Sequence, residues 1–416
     1  MCVVRTIVRN KLIIKNEKNF ICKRTAVSFL TLFLVGNSFA DIDVSADIKM
    51  YGILDQAMVS QKLTTPNSGA EASYSGVAAV SATSRLGFKG IRELSDGIKG
   101  MFQIEIQLDA DTSTLLPNKN RTAFVALQSE SVGTVQLGTI ETAGYEAYGT
   151  DVNARVEYKP NVWRTVSSLD LQDRTNNSIK YITPSMAGFE LHLQQSFAER
   201  ASTESVTAST SNSFAELKSI AFKYKSDKWK ASVVHDETKN ALMGYKFAGL
   251  SNAGISTTST TDGLLYYGSP TAASAANSLK AIQTPIQRDF VTLNYDFGKF
   301  AMNYLYAKSY QSGTYAASNT THTLGIKVPF DKLAIGVSTG KGVIDSYSAT
   351  AVASDTSTTA PAGRAKDGNI FDTTVGIFYN FDKDTLVYLI GSDSASSVVV
   401  KDGKSQTIAI GARYNF

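Results

Sequence analysis

Thr407-Ile408-Ala409-Ile410-Gly411-Ala412-Arg413-Tyr414-Asn415-Phe416 closes the sequence. Side chains alternate between the two faces of an extended strand. Ile408, Ile410, Ala412, Tyr414 and Phe416 therefore share one face, and Thr407, Ala409, Gly411, Arg413 and Asn415 the other. Read as apolar-out and polar-in, this is the reverse of a soluble core, and only lipid outside makes it favourable. Arg85-Leu86-Gly87-Phe88-Lys89 has the same parity, with Leu86 and Phe88 opposed to Arg85 and Lys89. In Phe300 to Lys308 the alternation of Met302, Tyr304 and Tyr306 with Ala301, Asn303, Leu305 and Ala307 leaves both faces mixed.

Working outward, period-2 segments recur along the whole chain. They predict strands at 48–59, 84–92, 98–108, 121–129, 134–140, 176–183, 188–197, 218–226, 228–235, 289–297, 300–308, 321–329, 332–340, 370–380, 385–392 and 405–416. Most are about 8–12 residues, enough to cross a bilayer core when tilted. Tight turns join them in pairs: Ser95-Asp96-Gly97, Ser131-Val132-Gly133, Pro184 to Ala187, Ser226-Asp227-Lys228, Gly298-Lys299, Phe330-Asp331 and Phe381 to Asp384. Between these hairpins run long polar segments, 60–83, 109–120, 141–175, 198–217, 236–288, 309–320, 341–369 and 393–404. Every long connection then lies on one side, as in a barrel with short periplasmic turns and long external loops. The expected fold is all-β, a sixteen-stranded antiparallel transmembrane barrel. Leu242 to Phe247 is a β-like patch inside the 236–288 connection, read as an external hairpin.

Residues 1–24 carry seven Lys or Arg and one acid, Glu17, ahead of an apolar run from Ala26 to Val35. Gly36-Asn37-Ser38-Phe39-Ala40 follows, with small residues at Ser38 and Ala40. This order predicts a secretory signal peptide over 1–40 and a mature barrel domain over 41–416. The whole chain has 41 basic and 37 acidic residues, and removing 1–40 leaves 34 and 36. The mature chain is then slightly acidic, which gives no reason to expect a nucleic-acid partner. Both cysteines, Cys2 and Cys22, fall in the signal, so neither disulfides nor thiolate chemistry is expected after export. With three histidines, His192, His235 and His322, and no cysteine in the mature part, no metal and no cofactor are expected.

Several stretches resemble Gram-negative general porins, particularly the neisserial and β-proteobacterial branch. They are Met50 to Asp55, Thr83 to Gly90 with Glu93-Leu94 and Gly97-Ile98-Lys99, Arg121 to Leu127, Gly133 to Gly138, Asn177 to Tyr181 with Pro184 and Gly188, and Tyr414-Asn415-Phe416. Their order and spacing span the mature chain. The resemblance implies a homotrimer of outer-membrane barrels, set among outer-membrane lipid and lipopolysaccharide, each with its own pore for small hydrophilic solutes and ions. It implies that the third long loop, 141–175, folds into the barrel and constricts it. The wall positions that match are Arg85, Arg121 and Arg174, and the loop supplies Glu141, Glu146, Asp151 and Glu157 by location. It also implies that Tyr414 and Phe416 form a signal for the barrel-assembly machinery. Many relatives have Leu-Gly-Arg entering this loop; here Leu137-Gly138-Thr139 lacks that cation, which argues against strong anion selectivity.

Arginine facing carboxylate across a narrow aqueous gap sets up a transverse field that favours polar solutes over apolar ones. Parity puts Arg85 in the lumen, whereas Arg121 is expected near the outer rim of its strand and Arg174 just before its own. Asp55 and Lys49 share the Tyr51 face and are expected to face water. Tyr414 and Phe416 also suit an aromatic girdle at the membrane edge. His192 and Ser196 share a strand face, but four residues on a strand span roughly 13 Å, too far for a hydrogen bond, and no catalytic site is expected. Two other readings keep the same barrel: a substrate-selective porin with a binding track, and an adhesin or surface antigen whose loops do the work.

Overall fold

A computed structural model describes residues 47–64, 71–78, 84–109, 114–116, 121–147, 174–197, 216–239, 286–311, 317–347, 368–396 and 403–416. Within them the chain is nearly all strand. In order come β1 (Asp47–Thr64), β2 (Glu71–Ala78), β3 (Arg85–Ser95), β4 (Ile98–Asp109), β5 (Thr114–Leu116), β6 (Ala123–Ser129), β7 (Gly133–Glu141), one helical turn α1 (Ala143–Tyr145), β8 (Arg174–Ile182) and β9 (Phe189–Ser196). Then follow β10 (Glu216–Lys225), β11 (Trp229–Lys239), β12 (Ile286–Asp296), β13 (Ala301–Gln311), β14 (Ala317–Phe330), β15 (Leu333–Tyr347), β16 (Gly368–Asn380), β17 (Thr385–Ser396) and β18 (Gly403–Asn415). All pairings are antiparallel, and β1 pairs with β18 on one side and with β2 and β3 on the other, so the sheet closes. β2 and β3 lie end to end along β1, and β5 and β6 along β4. Each couple is one interrupted wall strand, so the eighteen segments build a sixteen-stranded barrel.

The strands run further on the loop side than the alternation predicts. β1 reaches Thr64, β14 starts at Ala317, β15 reaches Tyr347 and β17 reaches Ser396. Polar runs such as Asn319-Thr320-Thr321 keep the ladder without any apolar period, because a wall rising above the hydrocarbon needs no apolar face. The connections expected at 60–83, 309–320 and 393–404 shorten accordingly. The expected signal segment 1–40 and the Leu242–Phe247 patch lie outside the described residues.

Exposure follows the expected parity. Ile408 and Ile410 are 63% and 61% exposed while Thr407 and Ala409 are 3% and 0%. On β13, whose sequence leaves both faces mixed, Asn303, Leu305, Ala307 and Ser309 turn inward and Tyr304 outward. Aromatic rings mark the periplasmic edge of the outer face: Trp229 lies 4.3 Å from Tyr295, Phe297 4.4 Å from Phe300 and Phe189 4.6 Å from Tyr224. Tyr414 and Phe416 stack at 6.3 Å and continue that girdle.

The hairpin Asp96-Gly97 has φ of 50° and 73°, the pair of positive values that lets a two-residue turn match the strand twist. At the closing seam Gly52 N–H donates to Phe416 O at 2.8 Å and Phe416 N–H to Gly52 O at 3.1 Å. Inside the seam Asp55 is fully buried; it accepts from Tyr388 Oη at 2.8 Å and Arg413 Nε at 2.9 Å. The expectation that Asp55 faces water is therefore corrected: it ties β1, β17 and β18 together. Gly411 permits this, since a Cβ there would strike the Tyr388 ring.

Candidate functional site: a charged belt inside the barrel

Rungs of residues in register across β1, β3 and β4 organise one wall. Ile53, Arg85 and Gln107 share one rung, Tyr51, Gly87 and Glu105 the next, and Lys49, Lys89 and Gln103 the one after, toward the periplasmic turns. Arg121 reaches Glu105 Oε2 with Nε at 3.1 Å and Nη2 at 2.5 Å, and Arg85 Nε lies 3.6 Å from Glu105 Oε1. Tyr51 Oη donates to the same carboxylate at 2.9 Å. Arg121 thus stands at mid-wall and not at an outer rim, because the wall continues past it through β5. Thr122 O accepts from Glu105 N–H at 2.8 Å, which holds the residues before β6 in that register.

Arg174 is the first residue of β8, not a residue ahead of its strand, and is directly opposite Glu141. It is buried, forms an ion pair with Glu141, donates Nε to Thr122 Oγ1 at 3.0 Å and stacks over the Tyr145 ring at 5.1 Å. Glu141 ends β7, so it belongs to the wall and not to the loop as expected. The neutral position Thr139 donates to Asn176 Oδ1 at 3.2 Å.

The loop after β7 turns inward at once. Thr142 caps its helical turn by accepting the Tyr145 N–H on Oγ1 at 3.1 Å. Ala143 and Ala147 pack on an apolar patch of the interior wall formed by Ala221, Val234, Phe290, Leu305 and Ala307. Glu146 forms an ion pair with Lys180 and another, at 2.8 Å, with Lys223, and His192 Nδ1 stands 3.6 Å away. Glu146 is therefore a loop acid facing a basic wall, as expected, but its partners are lysines of β8 and β10 and not the arginines. Asp151 and Glu157 lie outside the described residues.

Glu105, Lys180 and Lys223 are the residues that sequence reading misses. Each is a lone charge between apolar neighbours, in Ile104-Glu105-Ile106, Ile179-Lys180-Tyr181 and Phe222-Lys223-Tyr224. That pattern on a lipid-facing strand sends the charge inward.

The model of the Gram-negative porin family matches residues 26–416. The chain belongs to that family. An outer membrane porin protein of Bordetella pertussis is 26% identical over an alignment of 165 residues that covers 36% of this chain and 43% of that relative. This porin's fold also matches solved structures. The anion-selective porin from Comamonas acidovorans has 18% identity and a TM-score of 0.59, covering 89% of this chain and 100% of that one. OmpT of Vibrio cholerae, folded in vitro and in trimer form, has 14% identity and a TM-score of 0.57, covering 89% and 99%. At these identities the likeness shows the fold alone. Family and fold together put this porin in the outer membrane.

Proposed function

We propose that this porin is a passive diffusion channel for small hydrophilic solutes and ions, narrowed where the third loop meets the charged belt. The observation that carries this reading is the inward turn at 142–147, fastened to the interior wall by Glu146 and by Ala143 and Ala147. Arg85, Arg121 and Arg174 line the wall of the narrowing and Glu141 and Glu146 supply its acids, with Asp151 and Glu157 assigned to the same role by their place in the sequence alone. Such a belt orders water and admits polar solutes in preference to apolar ones. The test is reconstitution in a planar bilayer: stepwise conductance is expected, and folded protein that gives no steps would refute the reading. No catalytic step is assigned to any of these groups.

On the same reading the protein is made with a signal peptide over 1–40 and starts, after processing, at Asp41. N-terminal sequencing of outer-membrane material tests this, and a mature chain that keeps Lys23 would contradict it. The working unit is a homotrimer, and native electrophoresis of detergent-extracted protein tests that. Tyr414 and Phe416 serve the barrel-assembly machinery; Phe416→Ala should slow assembly in cells more than refolding in detergent. Lipopolysaccharide is the lipid partner we infer.

A further inference from the structure

Every cation of the belt has a carboxylate within ion-pair distance, although five cations share three acids. Arg121 and Arg85 share Glu105, Arg174 has Glu141, and Lys180 and Lys223 share Glu146. The next rung toward the periplasm is different. Lys49 on β1 stands directly opposite Lys89 on β3, on the interior face that carries Tyr51. Both side chains are exposed, and among the described residues neither forms an ion pair. Like charges directly opposite on antiparallel strands repel, so this rung holds two uncompensated cations close together.

The surroundings shape this rung. The Tyr51 ring lies across Gly87, where any Cβ would strike it, and its face carries Lys89 Nζ at 5.0 Å from the centroid. Gln103 completes the rung on β4 and donates Nε2 to Tyr51 Oη at 2.6 Å. The acids near this level are Asp47, one rung toward the periplasm, and Glu93, opposite Lys99. Glu105, one rung the other way, is already engaged by two arginines.

We propose that Lys49 and Lys89 form a weak binding site for small oxyanions carrying two negative charges, with hydrogen phosphate as the type. This site, whose two cations have no carboxylate partner, adds to the belt's excess of cations in setting the channel's preference between anions and cations. An anion between the two ammonium groups removes their mutual repulsion, and two charges favour a dianion over a monoanion. At about 5 Å in bulk water, Coulomb attraction enriches a monovalent anion about fourfold per lysine. The inference rests on the reading of the interior as the solute path.

The test compares wild type, Lys49→Gln/Lys89→Gln and Lys49→Arg/Lys89→Arg in planar bilayers, with Lys332→Gln in a periplasmic turn as control. Reversal potential in a KCl gradient at low salt gives the permeability ratio, and titration with inorganic phosphate gives block of the chloride current. Wild type is expected to prefer anions and to show saturable phosphate block. The glutamine pair should lose the block and several-fold of the anion preference while conductance steps persist. The arginine pair and Lys332→Gln should keep both. An unchanged permeability ratio and unchanged block in the glutamine pair would overturn the site, as would a larger loss of phosphate block from Arg85→Ala alone. Absence of conductance steps in folded wild type would instead overturn the channel reading. If the glutamine pair does not fold, block that persists after charge-neutralising acetylation of the folded wild-type lysines overturns the site.

Discussion

Replacing Glu146 by Gln tests the fastening of the third loop. The Lys180 side chain is 1% exposed and that of Lys223 16%, so the substitution leaves one ammonium buried and a second half-served. Removing one partner of a buried ion pair costs about 3–5 kcal/mol. The interior is hydrated, so the lower end applies, and about 3 kcal/mol is roughly a 100-fold rise in the detached turn, at 1.4 kcal/mol per decade. The apolar part of the fastening is weaker: Ala143 and Ala147 bury two methyl groups, worth about 0.8 kcal/mol each. Glu146→Gln should therefore disturb the channel more than Ala147→Gly. The assay is single-channel recording, with gel mobility before and after heating to confirm that the barrel folds. Frequent partial closures and open-channel noise are expected for Glu146→Gln. Glu146→Gln/Lys180→Met, which removes the stranded ammonium, should be quieter than the single variant. Recordings of Glu146→Gln as quiet as wild type, or a larger effect from Ala147→Gly, would refute the reasoning.

Arg85→Ala should shift the reversal potential toward cations at low salt, but only slightly, since Arg85 shares its carboxylate with Arg121; the shift should vanish near 1 M salt, where the Debye length is about 3 Å. Gly411→Val should lower the folded fraction on refolding, because its Cβ meets the Tyr388 ring and the Gln56 carbonyl, whereas Gly391→Ala, with open space around it, should refold like wild type. In the turn after β16, the backbone N–H groups of Asp384 and Thr385 donate to Asp382 and hold its carboxyl below the usual value of 3.8. A depressed carboxyl stabilises the fold above its unfolded pKa, and that contribution is lost as pH falls through the lower folded value. Acid unfolding of Asp382→Asn should accordingly lack this component below pH 3.8.

Much of the barrel is legible in local alternation. Leu86 and Phe88 against Arg85 and Lys89, and Ile408 and Ile410 against Thr407 and Ala409, point the way their parity demands. Asp96-Gly97 turns where its backbone freedom allows. Strand ends are less legible: Ser and Thr above the membrane carry no apolar period, so β14 and β17 outrun their signal. The site is legible only in part, because its pairs join residues far apart in the chain. Glu105 meets Arg121 only through the register of β4 with β6, and Glu146 meets Lys180 and Lys223 only because the chain turns inward at 142–147. Nothing local to Arg121 reveals that the wall continues above it, and nothing local to Asp55 reveals Arg413 across the closing seam. The lone interior charges Glu105, Lys180 and Lys223 were readable from their apolar flanks, but their partners were not.

The most direct test of the central claim is the conductance of purified, refolded protein added to a planar bilayer in KCl. A water-filled diffusion channel predicts discrete upward steps whose size rises in proportion to bulk conductivity at high salt. Protein that is folded by its heat-modifiable mobility, yet gives no steps at any salt concentration, would contradict the account.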